Sequence, residues 1–190
     1  MRTRLTAAAL IAALALLPTA ALARPGIGHP HGFVHGFAHP LGGLDHVLAM
    51  VAVGLFAWQL GGRALWLVPA TFVLVMALGG ALGIAGVAVP GVEIGIVASV
   101  IVLGAIVALR VKTPLAIATG LVALFAIFHG HAHGTEMPLD ASGAVYAAGF
   151  LLATALLHAA GIALGFAIGF ALRAGSTAVI PAERSEGRNP

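Results

Sequence analysis

The chain has 190 residues, of which 61% are hydrophobic and 8% charged, with a mean hydropathy of +1.09 and a formal charge of +3. Soluble domains carry about 25% charged residues, so this composition excludes a soluble globular domain and gives an integral membrane protein. The nine Lys and Arg are spread thinly, which excludes a nucleic-acid surface, and the lack of cysteine excludes disulfides, thiolate metal sites and CxxC redox chemistry.

From the N-terminus, "MRTRLTAAALIAALALLPTAALA" places Arg2 and Arg4 before an apolar core too short to cross about 30 Å of hydrocarbon, with small residues at Ala21 and Ala23. Residues 1–23 are therefore expected to be a secretory signal peptide, with an uncleaved anchor as the alternative. Residues 24–40 form a His/Gly-rich lead, expected to be poorly structured and, in a Gram-negative host, periplasmic. Its His29, His31 and His35 have two readings of equal weight, a capture segment for metal or a segment whose histidines contribute little.

Five continuous apolar runs follow, at Leu41–Leu60, Ala64–Ala85, Val92–Leu109, Thr113–Phe128 with a histidine extension, and Gly143–Leu172. They lack the period-two alternation of a barrel. The expected fold class is all-α, a polytopic membrane helix bundle of about five transmembrane helices spanning 41–172, with a polar tail at 173–190. Arg63, Arg110, Lys112 and Arg173 mark one side of the bilayer, while the connections "GVAVPG" and "GTEMPLDAS" carry no Lys or Arg. The positive-inside rule then puts the mature N-terminus in the periplasm and the C-terminus in the cytoplasm of a bacterial inner membrane.

That topology brings polar atoms to one height. Asp45 and His46 lie near the outer end of the first helix, and His129 to Glu136 close the fourth. A spacing of four and then three residues stacks His129, His133 and Glu136 on one face, provided the helix continues through Gly130 and Gly134, and leaves His131 pointing elsewhere. His39, expected to cap the first helix ahead of Pro40, lies two turns from His46. Imidazoles with carboxylates, and no thiolates, suit Ni²⁺, Co²⁺ or Zn²⁺.

The segments "HPLGGLDH" (His39 to His46) and "FHGHAHGTE" (Phe128 to Glu136) resemble the two signature motifs of the HupE/UreJ family of nickel permeases, and the resemblance covers nearly the whole mature chain. It implies a small secondary transporter, not an enzyme and without a cofactor, that supplies Ni²⁺, or Co²⁺, to hydrogenase or urease maturation. It also implies that the metal site is made of His39, Asp45, His46, His129, His133 and Glu136. His131 falls on the variable position of the family motif. The substrate is thus a divalent metal ion and the surroundings a lipid bilayer, with no nucleic-acid partner.

Other polar positions are weighed singly. Glu93, in a first turn, is expected to complement the helix dipole and not to bind metal. His158, mid-helix, has two readings: a satisfied core histidine, or a relay below the outer cluster. Gly161, Gly165 and Gly169 form a small-residue ladder expected to serve close packing, Trp58 and Trp66 read as interfacial anchors, Pro69 as a kink and Pro114 as a first-turn residue. Two rival functions stand beside the permease: a membrane metal sensor or chaperone, and a redox protein holding a metal or haem.

Overall fold

The computed structural model of the chain describes residues 32–137 and 142–177, with side chains as far as Ala174. The expected signal peptide, His29, His31 and most of the polar tail lie outside the described residues.

Six helices account for nearly all of the described chain: α1 (Gly32–Ala38), α2 (Leu44–Leu60), α3 (Ala64–Ile84), α4 (Val92–Leu109), α5 (Leu115–Thr135) and α6 (Gly143–Thr177), with a 3₁₀ turn at His39–Leu41 between the first two. Helices α3 to α6 are each long and apolar enough to cross a membrane, and α2 supplies a fifth span when taken with the α1 segment, from which it is bent by 81°. Large apolar side chains cover the outside, with Leu74 67%, Ile94 76% and Phe170 76% exposed. Water would not tolerate such a surface, whereas hydrocarbon is its natural solvent, and within the helices the backbone groups between the terminal turns are paired internally. The protein is a multi-pass, all-helical membrane protein.

The spans end where the sequence changes character. α2 stops at Gly61, which takes a φ of 67°, and α4 stops at Arg110, which occupies the left-handed region at φ 52°. Pro69 sits within α3 without ending it. Pro114 precedes α5 as its N-cap instead of lying in the first turn, where its missing N–H would also have been harmless. Three further expectations need correction. The lead is not unstructured throughout, since Gly32–Ala38 is helical; His39 lies in the 3₁₀ turn, and Gly43 is the N-cap of α2; and α6 continues through Arg173 to Thr177.

Inside, Met50, Val53 and Phe56 of α2, Phe72 and Met76 of α3, Leu103 of α4 and Val122 of α5 are fully buried. The helices approach one another at backbone distance. A Cβ on Gly130 of α5 would collide with the Met76 carbonyl of α3, one on Gly134 with the Gly80 carbonyl, and one on Gly83 with the carbonyl of His131. Lipid offers no hydrophobic drive between helices, so association depends on this contact, which only small residues permit. The α2–α6 interface uses Gly54 and Gly161 in the same way, and the α1–α6 interface uses Gly36 and Gly149. Further along the α6 ladder, Gly165 and Gly169 accommodate the ring of Trp58.

Candidate metal centre

α5 runs unbroken through Gly130 and Gly134 to Thr135. A glycine costs about 1 kcal/mol in a helix interior, but here each seats the α3 backbone, and the resulting close contact fixes the height at which the histidines of α5 meet the other helices. His129 and His133 consequently share one face, with Glu136 as the C-cap just beyond. His131 turns away, as the spacing predicts: its Nε2–H donates to the Val87 carbonyl at 2.7 Å and ties the α3–α4 connection to α5.

Three elements complete the cluster. The 3₁₀ turn contributes His39, whose Nε2–H donates to Glu136 Oε2 at 2.9 Å across a sequence separation of 97 residues. α2 contributes His46, 5% exposed. Its Nε2 is 3.1 Å from His129 Nδ1 and also meets His133 Nε2. α4 contributes Ser99, which is fully buried and lies 2.8 Å from His129 Nε2.

Ser99 settles the tautomer of His129. The hydroxyl has a single proton, donated to the Ile96 carbonyl at 2.6 Å, so Ser99 Oγ accepts from His129 Nε2–H. The lone pair of His129 is then on Nδ1, facing His46. Metal-binding imidazoles are commonly oriented in this way, by a hydrogen bond from the nitrogen that does not bind.

His133 stands between two groups of nitrogen and oxygen atoms. Its Nδ1 is 3.9 Å from Glu136 Oε2, on the side of His39, while its Nε2 faces His46 and, beyond it, His129. One atom from each of His39, His133 and Glu136 lies within 4.8 Å of the others, a spacing that could hold a metal ion. Exposure grades from this outer trio inward: the side chains of Glu136 and His39 are 57% and 24% exposed, whereas His129 is fully buried. The hydrogen bond from His39 holds the Glu136 carboxyl below its ordinary pKa, against the opposing effect of desolvation. Glu136 is thus an anion at the mouth of the cluster. Phe150 packs on His133 with ring centroids 4.1 Å apart, and Tyr146 is 5.9 Å from His39.

Of the six motif residues, His39, His46, His129, His133 and Glu136 form one connected network. Asp45 is adjacent but differently engaged: its Oδ1 accepts the backbone N–H of His46 at 2.9 Å, in the first turn of α2. Glu93 is exposed in the first turn of α4, and His35 is exposed with its ring 6.1 Å from His39. Reasoning from sequence missed Ser99 and Phe150. A single serine within the otherwise apolar stretch "IVASVIVL" was the available signal for Ser99; Phe150 had none.

The model of a family described as HupE / UreJ protein matches residues 12–181 of this chain. Among curated proteins, the chain is similar to protein HupE of Rhizobium leguminosarum bv. viciae, with 52% identity over 151 residues that cover 76% of this chain and 79% of the relative. No solved structure matches.

Proposed function

The chain belongs to the HupE/UreJ family, and on that premise we propose that it is a permease for a divalent transition-metal ion, Ni²⁺ first and Co²⁺ second, in the bacterial inner membrane. The observation that carries this reading is the convergence of His39, His46, His129, His133 and Glu136 from separate elements into one network that grades from half-open to fully buried. A purely structural role would require several polar groups, each costly in hydrocarbon, to have gathered without purpose.

In this reading the mature N-terminus and the histidine cluster face the periplasm and the arginine-bearing end faces the cytoplasm, with residues 1–23 acting as the signal. The ion is first held by His39, Glu136 and Nδ1 of His133. It then passes to His46, His129 and Nε2 of His133, so that one imidazole serves both positions through its two nitrogens, one at a time: the Nε2 proton leaves as the ion moves inward, and Nδ1, 3.9 Å from Glu136 Oε2, takes up a proton in exchange. Asp45 anchors the start of α2 beside His46 and adds negative charge next to the inner position. A divalent ion moving inward gains about 4.6 kcal/mol per 100 mV, twice the value for one elementary charge. No ATP is needed, and the protein acts as a transporter, not an enzyme, with the ion delivered to hydrogenase or urease maturation.

The test is uptake of ⁶³Ni²⁺ into proteoliposomes carrying the full chain, with an inside-negative potential and with Asp45→Asn and His133→Ala as controls. The expected result is voltage-dependent accumulation in the wild type, lost in His133→Ala. Metal retained by the protein without accumulation in the lumen would give the sensor or chaperone reading instead.

A further inference from the structure

Deeper in the bundle than the histidine cluster lies a second group of polar atoms that the permeation scheme above does not use. His158 of α6 is 1% exposed, and neither of its ring nitrogens has a hydrogen-bond partner. A buried polar atom without a partner is rare enough to need a cause, and an ionisable side chain inside a membrane bundle marks an ion path more often than it fills space.

The surroundings of His158 give that cause a chemistry. Thr154, one turn earlier on α6 and fully buried, directs its hydroxyl to Met76 Sδ of α3 at 3.9 Å, and Met76 is itself fully buried. The ring of Phe72, one turn before Met76 on α3, is 5.2 Å from the His158 ring and 5.8 Å from the His129 ring, centroid to centroid. The innermost histidine of the cluster and His158 therefore contact the same aromatic ring. At about 1.5 Å of rise per residue, His158 lies about 18 Å further along α6 than Tyr146, which packs on His39.

We propose that His158, Met76 and Thr154 form a second metal-ion station, an imidazole, thioether and hydroxyl set that receives a divalent transition-metal ion after it leaves the histidine cluster. This deepens the permease reading and rests on it. One strong ligand and two weak ones make a poor resting place, which suits a transit position, where binding must be favourable enough to enter and weak enough to leave. A neutral imidazole with both nitrogens unpartnered is also ready to bind without first breaking a hydrogen bond.

The experiment uses the full chain, with ⁶³Ni²⁺ binding counted at equilibrium in detergent and uptake measured in proteoliposomes. His158→Asn keeps a polar side chain but removes the imidazole. With Ni²⁺ raised far enough to fill the weak station in the wild type, it is expected to bind one ion fewer per chain, to keep the affinity of the outer cluster, and to lose about tenfold in uptake rate. His158→Cys, which restores a metal ligand, should recover the second ion and much of the uptake. Met76→Leu, a volume-conserving change, should lower uptake while leaving the outer cluster unaffected, and it serves as the reporter if His158→Asn does not fold. Wild-type ion count and uptake in His158→Asn would overturn the proposal. So would an equal loss of uptake in the Asn and Cys variants with outer binding intact, the result of a packing role. Should the wild type transport nothing, the permease reading fails, and the ion count alone decides for or against the station.

Discussion

At one end of the bundle His46, His129 and His133 are buried among apolar side chains, whereas at the other Arg63, Arg110, Lys112 and Arg173 all remain exposed. Both ends are rich in basic residues, yet only one admits them to the interior. An imidazole can enter neutral and keep a lone pair for a metal, while a guanidinium carries its charge wherever it goes and stays at the interface. The helix contacts are distributed to match. At the histidine end, Gly130 and Gly134 bring α3 and α5 to backbone contact beside His129 and His133, while toward the arginine end Gly165 and Gly169 of α6 meet the Trp58 side chain and not a neighbouring backbone. Backbone-to-backbone contact fixes the separations at the histidine end, and exposed cations mark the other.

Changes to the histidine end should therefore matter far more than changes to the arginine end. The largest expected effect is that of His133→Ala, which removes the side chain shared by the outer and inner groups. Equilibrium binding of ⁶³Ni²⁺ should weaken by about a hundredfold or more, the upper end of what even supporting residues contribute to metal sites. Next comes Gly130→Ala, whose methyl would collide with the Met76 carbonyl. Overpacking of this kind costs about 2 kcal/mol, and a thermal or SDS unfolding curve should report it, whereas Gly120→Ala, with open space around it, should be neutral or slightly stabilising. Ser99→Ala should leave the fold intact and lower Ni²⁺ affinity about tenfold, because His129 loses the acceptor that fixes its tautomer. Smallest is Arg110→Gly at the opposite end. Relief of a left-handed backbone at φ 52° is expected to stabilise the protein by about 1 kcal/mol, with metal affinity unchanged.

The spans were legible because hydrocarbon imposes one rule: a long apolar run must close its own backbone hydrogen bonds as a helix. Expected and observed bounds agree within a few residues from Ala64 to Leu109, where Gly, Pro and Arg punctuate the runs. Harder to read was α1, a seven-residue helix containing two glycines, too short to be stable alone. It is held by Gly36 and Gly149 against α6, a contact between segments more than a hundred residues apart that no local pattern announces. The face shared by His129, His133 and Glu136 followed from helical spacing alone. The role of Ser99 did not, because a serine on a neighbouring helix acquires meaning only from the ring it meets.

Nickel K-edge X-ray absorption of the Ni²⁺-loaded chain addresses the proposed metal centre without depending on transport. Several imidazoles bound to one nickel, in a shell of nitrogen and oxygen only, with imidazole scattering reduced in His133→Ala, is the predicted spectrum. Nickel surrounded by oxygen alone, or a spectrum indifferent to loss of His133, would contradict the account.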